Sequence, residues 1–342
     1  MYSDVIRENS NIAGVRWWPR YAYHFTDITN AVNILTTGRL YSRINANGMH
    51  LMENDNASRQ VIDMTSPEVS TYVRFYFRPL TPTQYHNEGF KHSDIRYDSD
   101  ANANVPVPIF LVFDLNKLLC NSETMFSEAG QAGYGTKLHN TMDEFKKLDF
   151  KRIYGDGIPS KEDIPFRHAE IVCPDHYDID ESLVGIACRN EIEKQSLYNL
   201  LWERNHQSCY KYKSKMTVMK HDMFENNGLF LSDCDYSNGN LGIRFSNTKS
   251  KSDYVRYAVK RNATIDPEQM KVNLKVSFDW VNRDNTLAHR EVTREIDYCD
   301  TNEYTFSHIP NVSGAKELQV RVYLEDKLMG LMKYQLGRGD VL

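Results

Sequence analysis

The run Thr71-Tyr72-Val73-Arg74-Phe75-Tyr76-Phe77-Arg78-Pro79 decides how this 342-residue chain is read. Its β propensity is strong throughout. Strand alternation splits it into two faces. Val73, Phe75 and Phe77 point one way, to a core. Tyr72, Arg74, Tyr76 and Arg78 point the other way. Planar rings beside guanidiniums suit a ligand with flat bases and phosphates. The same face also suits an exposed sheet with cation–π pairs. Pro79 and Pro82 then force a turn ahead of Thr83-Gln84-Tyr85.

Two further stretches join this one. Upstream, Tyr21-Ala22-Tyr23-His24-Phe25-Thr26 alternates and is aromatic, so it predicts a strand. Asp27 or Thr29 caps a helix through Asn30 to Leu35, and Gly38 ends it. His24 and Thr26, two apart, share a side of the sheet. They either hold a ribose or an amide, or are a satisfied strand histidine beside a threonine. Between these stretches, residues 45–68 predict a polar loop with a short helix near Ala57–Met64. Arg59 is its strong cation, a clamp for a pyrophosphate or a solvated side chain. Downstream, Arg167-His168-Ala169-Glu170-Ile171-Val172-Cys173-Pro174 puts a carboxylate at the head of an apolar strand. A Gly/Pro-punctuated loop, residues 154–160, precedes it. A mobile loop that delivers one acid into a cleft is a catalytic device, and a solvated glutamate at a strand start is the plain alternative.

Composition limits the partners. The net charge is −5, so no global basic field marks a general nucleic-acid binder. Residues 1–210 carry 21 Lys/Arg against 28 Asp/Glu, and residues 211–342 carry 20 against 18, so nucleic-acid contacts need local patches. The 21 tyrosines suit a stacking surface or a β-rich core. Six scattered cysteines show no zinc spacing and predict reduced thiols in a cytoplasmic protein. No apolar run approaches a membrane span, and the N-terminus has no signal-peptide pattern.

The remaining chain predicts a buried strand at Val107–Phe113 with Asp114 capping a helix. Next come a small-residue loop at Phe126–Gly135 that is not a P-loop, an amphipathic helix over 138–152, and a helix over Glu191–Arg204 that closes the first domain. Tyr210–Lys215 is expected as a linker. Beyond it, short alternating runs predict a small β-sandwich ending in a hairpin at Asp326-Lys327.

The stretches Tyr23–Asn30, Tyr72–Tyr85, Phe126-Ser127 and Arg167–Val172 stand in the order and spacing of DarT. Over about residues 15–205 the sequence resembles a DarT-type ADP-ribosyltransferase, the toxin half of a DarT–DarG toxin–antitoxin pair. The resemblance implies an α+β fold: an ADP-ribosyltransferase-like split twisted β-sheet with flanking helices. A C-terminal all-β sandwich-like domain lies outside the resemblance. The domains expected are 1–210, the transferase, and 211–342, an accessory unit of unknown role.

Carried over, the resemblance implies that NAD is the co-substrate, with no metal needed. It implies transfer of ADP-ribose to a base in single-stranded DNA, with release of nicotinamide. Glu170 would be the catalytic acid. His24 and Thr26 would hold the nicotinamide-side ribose and amide, and Asn30 and Tyr76 would line the NAD site. The loop 154–169, with Tyr154, Arg167 and His168, would present the nucleic acid. Arg59 stands about where the family places an arginine, with Arg74, toward the cofactor, and Arg78, toward catalysis, as alternatives. The longer Tyr-Phe-Arg-Pro-x-Thr-Pro-Thr-Gln-Tyr form resembles the first-type subgroup, so guanine is expected over thymine. A DarG-like macrodomain antitoxin and a role in anti-phage defence follow from the same resemblance. Two alternatives stay open: an RNA acceptor, and a binding module without catalysis.

Overall fold

A computed structural model describes residues 1–12, 14–55, 66–96, 104–131, 136–219, 222–246, 253, 266–283, 285–299 and 303–336. Strands β1 (Tyr21–Asp27), β2 (Arg39–Tyr41), β3 (Tyr72–Tyr76), β4 (Pro108–Asp114), β5 (Met125–Ser127), β6 (Glu170–Pro174), β7 (His176–Asp178), β8 (Leu183–Cys188) and β9 (Met216–Val218) belong to the first part of the chain. Seven of them form one sheet in the order β5-β6-β3-β1-β4-β8-β9, and β2 pairs with β7. The parallel contact β8–β9 makes the large sheet mixed. Helices pack around it, so this part is a mixed α/β structure.

The alternation in β3 works as its sequence demands. Val73 and Phe75 are buried, together with Phe77 just beyond the strand, while Tyr72, Arg74 and Tyr76 are half-buried on the opposite face. β1 follows β4 through seven paired positions but meets β3 at one, Tyr23 opposite Tyr76. Beyond that pair the two strands separate. His24 fills the gap, its Nδ1 lying 2.9 Å from the Arg74 carbonyl oxygen. A sheet split at this seam leaves a cleft between β1 and β3.

Local signals set the flanking elements. Asp27 Oδ1 accepts from Thr29 N at 3.1 Å and caps the helix Ile28–Thr37, which Gly38 ends at φ 72. Asp114 caps the helix Leu115–Cys120 by accepting from Lys117 N at 2.9 Å. The helix expected over 138–152 is instead two short ones, Met142–Phe145 and Phe150–Ile153. Asp149 accepts from Arg152 N at 3.0 Å and starts a new cap where the amphipathic pattern runs straight through.

The stretch expected as a linker is also structured. A helix spans His206–Tyr212 and a 3-10 turn Lys213–Lys215, after which β9 joins the large sheet. Cys209 and Tyr212 are fully buried, and the Tyr212 hydroxyl donates to Asp180 Oδ1 at 2.8 Å. That burial, hidden among lysines, makes the segment part of the first core.

Beyond it lie β10 (Phe230–Ser237), β11 (Asn240–Ser246), β12 (Lys271–Asn282), β13 (Asn285–Asp297), β14 (Glu303–Phe306), β15 (Glu317–Leu324) and β16 (Lys327–Gln335). They form a three-stranded sheet, β10-β11-β14, and a four-stranded sheet, β13-β12-β15-β16. Both sheets feed one apolar core that includes Ile243, Phe278, Trp280 and Val320. This part is all-β.

The two parts are welded together. Phe90 and Ile95, from the first part, sit in the second core, and Tyr298 Oη donates to the Phe90 carbonyl at 3.0 Å. Gly89, at φ 77, passes so close to Asn227 that a Cβ would lie 1.8 Å from its carbonyl oxygen. The helix Glu191–Arg204 covers the free edge of β16. There Ser196 Oγ accepts from Leu331 N at 2.9 Å, and Asn199 Nδ2 donates to Leu331 O at 2.9 Å. These bonds satisfy backbone groups that an open sheet edge would leave unpaired. Among the described residues, no helix is long and apolar enough to cross a membrane.

Candidate active site

The seam between β1 and β3 opens into a cavity of about 670 Å³. That size lies within the range of small-molecule sites. Residues from β1, the helix Ile28–Thr37, the segment 51–55, β3, the helix Pro82–Asn87 and β6 line it.

Glu170, at the head of β6, is 1% exposed yet lines the cavity. Antiparallel pairing of β3 and β6 sets it opposite Tyr76. Arg74, two residues along β3, shares the Tyr76 face. Its Nε donates to Glu170 Oε2 at 3.0 Å, and its Nη2 makes a second, short bond to Oε1. Gln131 N donates to Oε2 at 3.2 Å. Two fork-to-carboxylate bonds plus a backbone donor fix the carboxylate's orientation. Burial opposes the charge on Arg74, but the Glu170 carboxylate, followed by Tyr76, raises its proton affinity above the usual arginine value.

His24 stands at the opposite lip. Burial lowers its pKa, the Arg74 carbonyl bond opposes that, and the Arg74 charge lowers it further. A neutral imidazole next to a carbonyl must donate from Nδ1, because the carbonyl only accepts. Nε2 is therefore left as an acceptor, suited to a hydroxyl or an amide N–H. Thr26 follows on the same strand and also lines the cavity.

Asn30 reaches the cavity from the first turns of its helix. Its Oδ1 accepts from Glu53 N at 2.9 Å and Asn54 N at 3.2 Å, and its Nδ2 donates to Asn54 O at 2.7 Å. Asn30 thus clamps the wall at residues 53–54. Arg59, further along, lies outside the described residues, as does the short helix expected near it.

The arginine and loop assignments divide. Arg78 does not line the cavity. The strand ends at Tyr76, and the bend after it turns Arg78 inward, where it is 4% exposed. Its guanidinium donates to the carbonyls of Pro79, Ile153 and Gly155 and lies 4.7 Å from the Trp18 ring centroid. Tyr154 is fully buried, stacked on Phe150. Arg167 is 6% exposed and donates to the Asp156 carbonyl at 3.2 Å. Arg78 and Arg167 therefore pin the base of the loop 154–169 instead of facing a ligand, and Tyr154 packs beneath it. His168 does reach the cavity. Burial, then the charges of Arg74 and His86, hold its pKa down at about 4, so it is neutral at pH 7.

Several lining residues escaped the sequence reading. Thr83 and His86 come from the helix Pro82–Asn87, and Arg39, Tyr41 and Arg43 stand near β2. Thr83 Oγ1 lies 3.4 Å from His168 Nδ1. Arg39 pairs with Asp178 at 2.5 Å, and Arg43 pairs with Asp55. The signal for the helix was present: Thr81 as cap with Pro82 in the first turn, which puts positions 83 and 86 on one face.

A family model described as "ssDNA thymidine ADP-ribosyltransferase, DarT" matches residues 23–219, more than half of the chain. No curated protein matches. Among solved structures, Thermus sp. 2.9 DarT in complex with carba-NAD+ is similar at 16% identity and TM-score 0.46, over 60% of this chain and 98% of that one. The same protein in complex with ADP-ribosylated ssDNA gives 17% identity and TM-score 0.45, over 60% and 97%. Thermosipho africanus DarTG in complex with ADP-ribose gives 12% identity and TM-score 0.45, over 62% and 53%. The assignment rests on the family match, and by that match this chain belongs to the DarT family of ADP-ribosyltransferases.

Proposed function

We propose that this chain splits NAD and transfers its ADP-ribose to a base in single-stranded DNA, releasing nicotinamide. The observation that carries the reading is the Glu170–Arg74 pair, held at the β1–β3 seam in a cavity large enough for a small-molecule substrate.

The reaction breaks the bond between the ribose anomeric carbon and the nicotinamide nitrogen and forms one from that carbon to a base nitrogen. Nicotinamide leaves neutral, and the base nitrogen gives up its proton. Glu170 supplies the negative charge that stabilises the oxocarbenium-like centre and accepts that proton. Arg74 orients the carboxylate. His24, with Nε2 as acceptor, and Thr26 hold the nicotinamide-side ribose and amide, while Asn30 and Tyr76 shape the walls. The acceptor base must be outside a duplex for its reactive edge to be reached, which favours a single strand.

The loop 154–169 is the proposed DNA-facing element. Its base is pinned by Arg78, Arg167 and the Arg152–Asp163 pair at 2.8 Å, and its tip carries Ile158 at 99% exposure. We infer thymidine as the acceptor, since the family description names it. This replaces the guanine expected from the longer aromatic-strand motif. Nothing in the comparisons supports RNA. Toxicity, an anti-phage role and a DarG-like macrodomain antitoxin as partner are proposed on family membership. We also place the start of the accessory β part after β9, because β9 pairs within the large sheet.

The test is incubation with labelled NAD and single-stranded DNA or RNA homopolymers, wild type beside Glu170→Ala. Label on thymidine-containing DNA that disappears in the variant is the expected result. Label on guanine alone overturns the acceptor base, and label on RNA alone overturns the acceptor class. NAD binding without nicotinamide release overturns catalysis.

A further inference from the structure

The wall of the cavity at Asn54 is built from both parts of the chain. Asn54 is 7% exposed and lines the cavity. Its backbone is clamped on both sides by Asn30, and its Nδ2 donates to the Asn104 carbonyl at 3.0 Å. Its Oδ1 accepts from Lys327 Nζ at 2.8 Å, a charge-assisted bond that crosses from the all-β part.

Lys327 opens β16 just after the hairpin turn, paired with Leu324. That turn is anchored without it: Glu325 N donates to Asn273 O at 2.8 Å, and Glu325 Oε1 accepts from Asn273 N at 3.0 Å. The Lys327 ammonium is thus presented by a fixed hairpin to a fixed acceptor. Its field also reaches Asp27, the buried cap of the helix that carries Asn30, lowering an affinity for protons that burial raises. Both effects converge on Asn30 and the wall it holds.

We propose that Lys327 is a positioning residue of the NAD site, through which the all-β part completes the wall at Asn54. This rests on the reading of the cavity as the NAD site. Loss of the ammonium removes its charge-assisted bond to Asn54 Oδ1, loosens residues 53–55 and weakens NAD binding, while the Glu170–Arg74 pair on the far side stays in place.

The test compares Lys327→Met, Lys327→Arg and Lys333→Met in the full chain. Lys333 also lies on β16, but its Nζ pairs with Glu203 at 3.0 Å, away from the cavity. Nicotinamide release gives KM and kcat, calorimetry gives Kd for a non-cleavable NAD analogue, and thermal melting gives stability. Lys327→Met is expected to raise KM for NAD and Kd for the analogue about ten-fold, with kcat changed less than about three-fold. Lys327→Arg restores most of the binding, and Lys333→Met leaves both constants unchanged. Unchanged KM and Kd in Lys327→Met, or changes that follow melting temperature equally in Lys333→Met, overturn the proposal. A wild type that neither binds the analogue nor releases nicotinamide overturns the site reading itself.

Discussion

The Glu170–Arg74 pair lends itself to a double-mutant cycle: Glu170→Gln, Arg74→Gln and both together. Glu170 is 1% exposed, while the Arg74 side chain is 29% exposed toward the cavity. Breaking a buried pair by removing one partner costs about 3–5 kcal/mol, because the other charge is stranded. Arg74→Gln strands the buried carboxylate with only the Gln131 N–H, so the full range applies. Glu170→Gln strands a guanidinium that water can reach, so about 2 kcal/mol is expected after discounting for solvent. The double variant removes both charges and is expected to cost about 2–3 kcal/mol, which leaves a coupling of about 3 kcal/mol between the sites. Urea unfolding followed by tryptophan fluorescence measures all four corners. Single-variant costs that add to within about 0.5 kcal/mol would refute the pairing as a feature of the protein in solution. In parallel, Glu170→Gln is expected to slow nicotinamide release by about 10²–10⁴-fold, and the double variant is not expected to recover it.

Three further outcomes follow from the structure. His168, with its pKa held at about 4, binds its proton in the unfolded chain from about pH 6.5 downward but not in the folded one. Its contribution, about 3 kcal/mol, is complete above pH 6.5 and lost as pH falls toward 4, so His168→Asn flattens the stability profile in that window. A profile equally steep with the variant would remove His168 from the account. Gly89→Ala places a Cβ against the Asn227 carbonyl at a left-handed φ and is expected to cost at least about 2 kcal/mol in unfolding free energy, whereas Gly48→Ala, with open space around it, is expected to be tolerated. Ile158→Ser is expected to spare NAD binding and raise KM for the DNA strand, read as labelled oligonucleotide formed at increasing oligonucleotide concentration; an unchanged KM would place the loop tip outside the DNA path.

Much of the site was legible because strand alternation is a strong local signal. Val73, Phe75 and Phe77 had to be core, so Arg74 and Tyr76 had to face elsewhere. Arg78 was misplaced by the same logic: alternation was extended two residues past the true end of the strand, and the bend after Tyr76 reversed its direction. The segment 210–215 looked like a linker because its lysines outnumber its buried groups, yet Cys209 and Tyr212 anchor it. β13 was missed altogether. It runs at a sheet edge, and residues such as Arg290, Glu291, Arg294 and Glu295 give it no apolar period to read. The contact from Lys327 to Asn54 joins positions 273 residues apart, a distance at which no local pattern carries information.

That separation also sets a clock on synthesis. The Phe90 carbonyl meets the Tyr298 hydroxyl 208 residues later, and Asn54 meets Lys327 later still. At about 5–20 residues per second, roughly 10–40 s pass between translation of Phe90 and translation of its partner. The β1–β3 seam is translated before that interval begins, and Glu170 well within it. A nascent chain therefore carries the Glu170–Arg74 pair and the β1–β3 cleft before it has the β15–β16 hairpin that braces the wall at Asn54, and the cavity reaches its described shape only once that hairpin has left the ribosome.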